Sequence, residues 1–251
     1  MIIKELKILK QHGIQYVPDL KEAVLTPLFR GRPLIKEDPA DPEIEKIIKL
    51  CPSDAIVTEG GFGIDIGKCV FCKECALSCP DKIDFTNDYK ISTNDKNNLI
   101  VRKGDTEIKF SETSVRPEIR KLFKNALKLR QVSAGGDNSC EFELNAAGNV
   151  NFDMGRYGIE FVASPRHADG IVITGPITEN MSEALQICWD ATPGPKIIIL
   201  VGTDAISGGM FAKSPAVNRK FLEKYPVDLY VPGNPAHPLT FINGLLRLLG
   251  K

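Results

Sequence analysis

Cys69-Val-Phe-Cys72-Lys-Glu-Cys75-Ala-Leu-Ser-Cys79-Pro80 spaces its cysteines by three, three and four and closes on a proline. A cluster of iron and sulfide needs several thiolates converging on one small volume. A tight Cys-x-x-Cys-x-x-Cys loop supplies three of them, with its amides turned toward the sulfides. The fourth ligand comes from a distant cysteine, and in duplicated motifs that cysteine precedes a proline. Cys51-Pro52 lies 18 residues before Cys69. Cys51, Cys69, Cys72 and Cys75 are therefore the candidate ligands of one [4Fe-4S] cluster. Zinc is the rival, although zinc modules usually close a tetrahedron from two separated Cys-x-x-Cys pairs.

The same spacing counted back from Cys51 lands on Ile47, Ile44 and Asp41. The first half of the duplicated motif has kept its crossover cysteine and lost its own three ligands, so one cluster is expected and not two. Cys79 is then left without a cluster to serve and reads as a small buried side chain. The run as a whole resembles the cluster-binding motif of bacterial ferredoxins.

At 251 residues, 43% hydrophobic and 25% charged, the chain has room for two domains of ordinary globular composition. Lys plus Arg and Asp plus Glu stand at 32 each, so no global charge argues for nucleic acid as a partner. Five of the seven cysteines fall between Cys51 and Cys79. That clustering reads as metal ligation in a reducing compartment, hence the cytoplasm, and not as a disulfide framework. No apolar run approaches the roughly eighteen residues of a membrane span, and the start of the sequence lacks a signal peptide's apolar core. Any membrane link is expected to run through a partner, with the chain peripheral on the cytoplasmic face.

Ahead of the cysteines comes a short amphipathic segment around Leu6 and Leu9, then a proline-punctuated arm ending Phe29-Arg30-Gly31-Arg32-Pro33. Beyond them, alternation on either side of Lys103-Gly104-Asp105 predicts a β-hairpin over 99–110. Pro117 suits a first helical position, and Ile119, Leu122, Phe123, Ala126 and Leu127 share a face among basic residues. This predicts a connecting helix within 113–132, whose basic side suits an acidic partner or simply solvent. From residue 133 the pattern changes to apolar strands, at 159–163, 171–174, 197–201 and 227–231, alternating with helical segments. Ile197–Val201 is so continuously apolar that both its faces must be covered. A doubly wound parallel sheet results. Cys188 falls on the apolar stripe of one of its helices.

Two further resemblances follow. Phe29-Arg30-Gly31-Arg32-Pro33 ahead of the cysteines, with Thr86-Asn-Asp-Tyr89 after them, resembles the ferredoxin-type subunit of complex I and of energy-converting [NiFe] hydrogenases. Ala163-Ser-Pro-Arg-His-Ala-Asp-Gly-Ile-Val-Ile-Thr-Gly-Pro-Ile-Thr178 is similar to a signature of the [NiFe]-hydrogenase small subunit and its complex I counterpart, the B-type or 20 kDa subunit. That likeness continues through Val201-Gly-Thr-Asp-Ala-Ile-Ser-Gly-Gly-Met-Phe211 and Pro226–Pro235. The resemblance implies an α/β protein, with a ferredoxin-like (α+β) domain over 1–112, a linker helix over 113–132 and a flavodoxin-like domain over 133–251. It implies an electron-transfer subunit of a membrane-associated redox complex. Its partners would be a [NiFe]-hydrogenase-type large subunit or complex I homologue and further membrane subunits, with a ferredoxin as candidate donor and no active site in this chain.

In the second family the α/β domain holds a cluster of its own on loops at the carboxyl ends of the strands. The positions that match its four cysteines here are Asp137, Cys140, Asp204 and Asn234. One thiolate with two carboxylates and an amide is a poor donor set for iron and sulfide, so this cluster is expected to be absent. A hydrogen-bonded polar plug and a hard cation are the alternatives, with His237 a further candidate donor and Cys140 unsuited to an ion that wants only oxygen. The competing role is a structural or assembly subunit that keeps a docking surface and does not conduct.

Overall fold

The computed structural model describes residues 2–13 and 16–251. Helix α1 (Ile2–His12) opens the chain, and the arm that follows leads to strand β1 (Pro33–Ile35). Helix α2 (Asp41–Leu50), β2 (Ile56–Val57), β3 (Gly63–Asp65), α3 (Glu74–Ser78), β4 (Ile83–Phe85) and β5 (Ile100–Arg102) complete the N-terminal part. It is a duplicated strand-helix-strand. β1 pairs antiparallel with β4, Ile35 opposite Ile83, while β2, β3 and β5 make a second antiparallel sheet. The two halves differ where their cysteines differ. Asp41, Ile44 and Ile47 all lie on α2, with Pro42 in its first turn and Ile47 fully buried. With no metal-binding loop to form, those residues continue a helix that α3 only begins at Glu74.

The arm motif is structural. A Cβ at Gly31 would lie 1.9 Å from the backbone oxygen of Asp88, so only glycine lets the arm pass there. Arg32 is buried, pairs with Asp88 and donates Nη1 to the Asp105 carbonyl at 2.7 Å. The expected hairpin over 99–110 does not form. Gly104 makes its turn with φ +90°, but β5 pairs with β3, and the segment beyond the turn leaves to pack elsewhere. Its Lys109 carbonyl accepts from Thr93, and its Ile108 carbonyl from Arg247.

Helix α4 (Pro117–Phe123) is shorter than the expected connector, and β6 (Leu127–Ser133) follows it directly. Leu127, Leu129 and Val132 are buried on this strand, which sits inside the parallel sheet. The helix expected up to residue 132 is thus corrected to a helix and a strand. Then come α5 (Ser139–Ala147), β7 (Ile159–Phe161), β8 (Gly170–Thr174), α6 (Glu179–Ala191), β9 (Ile197–Val201), α7 (Thr203–Ser207), α8 (Lys220–Lys224), β10 (Leu229–Val231) and α9 (Pro238–Leu249).

The five strands run parallel in the order β10-β9-β8-β6-β7. This is the flavodoxin-like order, whose switch point falls between β6 and β8. The expected α/β class and doubly wound sheet are what the chain forms. Every residue of β8 and β9 is buried. Val172, Ile197 and Ile199 face a core built with α9, whose Phe241 is fully enclosed. Ile171, Ile173, Ile198 and Leu200 face the other way, into a core shared with Ile35, Ile47, Ile64 and Phe71 of the N-terminal part. Two sequence-distant units therefore bury one continuous apolar surface. Among the described residues no helix is long and apolar enough to cross a membrane.

Candidate functional site

The four predicted cysteines meet. Cys51 ends α2, its amide donating to the Ile47 carbonyl, while Cys69 and Cys72 lie on the loop before α3 and Cys75 in its first turn. All four line one enclosed pocket, walled by Ile47, Ile56, Ile64 and Phe85. Phe71 and Lys73, between the cysteines, hold φ of +54° and +72°, a left-handed backbone that non-glycine residues seldom adopt. That curl turns amides inward. Phe71 N donates to Cys69 Sγ at 3.3 Å, and Ala55 N to Cys51 Sγ at 3.2 Å.

Burial pushes the Cys69 thiol far up, and the neighbouring Cys75, Cys51 and Cys72 push it further, which places the four within one another's field. Cys75 is pushed up to about 11, again chiefly by burial. Bare thiolates are therefore disfavoured here, and a positive centre is what would hold the sulfurs deprotonated. Among the described residues no three His, Cys, Asp or Glu side chains close on a single metal ion. Cys79 is buried in the core behind the four cysteines.

Three residues without a role in the sequence analysis hold this loop. Arg30 donates Nη1 to the carbonyls of Phe71 at 2.9 Å and Cys72 at 3.2 Å. Buried Thr203, at the start of α7, donates Oγ1 to the Cys69 carbonyl at 2.8 Å, so the cysteine loop rests directly on the loop that follows β9. Arg219 donates to the carbonyls of Pro176, Asp204, Ala205 and Ile206, clamping that loop from its far side. The arm motif contained Arg30, but nothing in the sequence announces its target.

The second predicted group also gathers, at the carboxyl ends of the parallel strands. Asp137 and Cys140 follow β6 beside the switch point, Asp204 follows β9 and Asn234 follows β10. Cys140 is buried and pushed up to about 11 by burial, and the charges of Asp137 and Asp204 reach it. Gly202, at φ +90°, makes room for it, since a Cβ there would lie 2.4 Å from Cys140 Sγ. Burial raises the Asp204 carboxyl, and the charge of Asp137 adds to this. Asp137 itself is held low, because Oδ1 accepts both the amide of Ser139, at 3.0 Å, and its hydroxyl, at 2.6 Å. Asn234 is exposed, before a cis proline.

His237 has another task. Its Nδ1 accepts the amide of Leu239 at 3.1 Å, capping α9, and its ring meets Phe29 and Phe152 edge-on. Burial lowers its pKa to about 4. Because the folded protein resists protonation that the unfolded chain accepts near pH 6.5, this part of the stability is complete above that value and is lost as pH falls toward 4. Acidifying from pH 7 to 5 should therefore cost the wild type about 1 kcal/mol more than His237→Asn, partial exposure screening the full effect. Asparagine keeps the cap and cannot titrate. Urea unfolding of both proteins at the two pH values measures the difference, and equal pH dependence would refute it.

Residues 138–248 match the model of the NADH ubiquinone oxidoreductase 20 Kd subunit family. Over 120 residues the chain is 38% identical to a probable membrane-bound hydrogenase subunit, mbhJ, of Pyrococcus furiosus, covering 48% of this chain and 72% of that protein. The chain belongs to this family. The B-type subunit of an NADH-quinone oxidoreductase from Heliobacterium modesticaldum is 44% identical over 45% of this chain and 65% of its own length. Formate hydrogenlyase subunit 7 of Escherichia coli is 36% identical over 56% of this chain and 55% of its own. A chain in the structure of the membrane-bound sulfane sulfur reductase, an archaeal respiratory membrane complex, overlays 54% of this chain and 75% of that one, with a TM-score of 0.47 and 24% identity. The span matched by the 20 Kd subunit family contains Cys140, Asp204 and Asn234, and the cysteine pocket of residues 51–75 lies wholly outside it.

Proposed function

We propose that the chain is a one-cluster electron-transfer subunit of a membrane-associated, hydrogenase-like or complex I-like oxidoreductase. A ferredoxin-type unit over residues 1–112 is fused to the 20 Kd subunit domain. The observation that carries this reading is the single apolar pocket lined by Cys51, Cys69, Cys72 and Cys75, with backbone amides already aimed at two of the sulfurs. A soft, four-thiol donor set of this kind fits a [4Fe-4S] cluster. When bound, the cluster supplies one-electron transfer. The protein's part is to hold the four sulfurs, to donate amide hydrogen bonds that favour the reduced state, and to keep water away with Ile47, Ile56, Ile64 and Phe85. The partners would be a [NiFe]-hydrogenase-type large subunit or complex I homologue and membrane subunits, placing the chain peripherally at the cytoplasmic face, with a ferredoxin as donor.

The donor set at Asp137, Cys140, Asp204 and Asn234 does not fit iron and sulfide, and no electron step is drawn through it. This favours a second reading, in which the chain braces the complex without conducting. Iron and acid-labile sulfide on anaerobically prepared protein, with EPR after dithionite, decide first whether the chain can carry an electron. About four irons and one reduced-cluster signal are expected. About eight would overturn the assignment at the second group, and zinc without sulfide would leave only the structural role.

A further inference from the structure

Between the cysteine loop and the start of α9 lies a cleft of about 310 Å³, lined by Phe29, Arg30, Cys72, Asn234, His237 and Thr240 among others. Among the described residues no carboxylate lines it. We propose that this cleft is a binding site for a small oxyanion, a carboxylate or phosphate on a short apolar stem. Its size is at the lower end of small-molecule sites.

Four polar features meet there, three of them on α9 and its cap. The 12-residue helix α9 begins at the cleft, so the positive end of its dipole serves it, although Pro238 carries no N–H and His237 Nδ1 already takes the amide of Leu239. Thr240, in that first turn, is 1% exposed, yet its hydroxyl has no hydrogen-bond partner. A buried hydroxyl left unpaired is costly, and a ligand in the cleft that accepts from it would relieve that cost. Arg30 brings the charge. It uses Nη1 on the Phe71 and Cys72 carbonyls and forms no ion pair among the described residues. His237 spends Nδ1 on the helix cap, which leaves the neutral ring's proton on Nε2 as a donor. Phe29 and Phe71 supply apolar wall for the stem.

The cleft borders the cysteine loop, so the test uses anaerobically prepared full chain with equal iron content in every variant. The full chain is titrated calorimetrically with inorganic phosphate and, separately, with acetate at low ionic strength, as wild type, Arg30→Gln and Thr240→Val. Saturable one-to-one binding of at least one probe is expected, with each variant weakening it about tenfold, the loss of one hydrogen bond to a charged group. Preference for phosphate or for acetate then identifies the class of oxyanion. Thr240→Val keeps the shape and removes no hydrogen bond the protein makes, so it carries the test if Arg30→Gln folds poorly. Absence of saturable binding by both probes, or unchanged affinity in a folded variant of either residue, would overturn the proposal.

Discussion

Serine at Cys69 is expected to strip the chain of its iron, from about four per molecule to less than one, and to abolish the reduced-cluster EPR signal. The reason is chemical. A hydroxyl is a far harder donor than a thiolate, and Cys69 is the most deeply buried of the four candidate ligands, so water cannot readily take its place. Cys51→Ser, Cys72→Ser and Cys75→Ser should act in the same direction. The controls are chosen by position. Cys79→Ser and Cys188→Ser remove thiols of the same sequence that do not line the pocket, and both should retain about four irons, Cys79→Ser with some loss of stability from placing a hydroxyl in the core. Because ligand binding and folding are coupled, loss of iron in the ligand variants should come with a lowered unfolding midpoint. Full iron in Cys69→Ser would exclude it as a ligand, and loss of iron in Cys79→Ser with the fold intact would redraw the set.

The cysteine pocket was legible because its signal is local. Three of its cysteines fall within seven residues, and Cys51 carries its own marker in Pro52. The parallel sheet was legible for a related reason, since strands covered on both faces, such as Ile197–Val201, have no other way to be apolar throughout. Where the sequence misled, the deciding partner was remote. Leu127–Ser133 alternates as Leu-Lys-Leu-Arg, a strand pattern, but the helical rhythm of Ile119, Leu122 and Phe123 runs straight into it. Only pairing with β8, some forty residues on, settles the matter. The turn at Gly104 was legible, yet β5 finds its partner in β3, on the far side of the cysteine motif. The contacts of Arg30, Thr203 and Arg219 are all side chain to backbone carbonyl. Since every residue has a carbonyl, such bonds leave no pattern in a sequence.

The close approach of the two sites was not legible at all, and it gives the second group its interest. Thr203 touches the cysteine loop and Asp204 follows it, so one position of the second group lies one residue from a direct contact with the candidate cluster loop. Cysteine at all three, Asp137→Cys with Asp204→Cys and Asn234→Cys, should raise iron from about four to about eight per chain after anaerobic reconstitution and add a second EPR signal. The scaffold that such a site needs is in place. Cys140 is already buried, Gly202 keeps backbone clear of its sulfur, and Arg219 fixes the loop carrying residue 204. Replacing Asp204 also removes a carboxylate that both burial and Asp137 disfavour in its charged form. Asp204→Cys alone should add no iron, since two thiolates do not hold a cluster. If the triple variant folds and still binds only about four irons, the loops have closed around Asp137 and Asp204 as well as lost their ligands. The structural role would then be favoured over a wire interrupted only at its donor atoms.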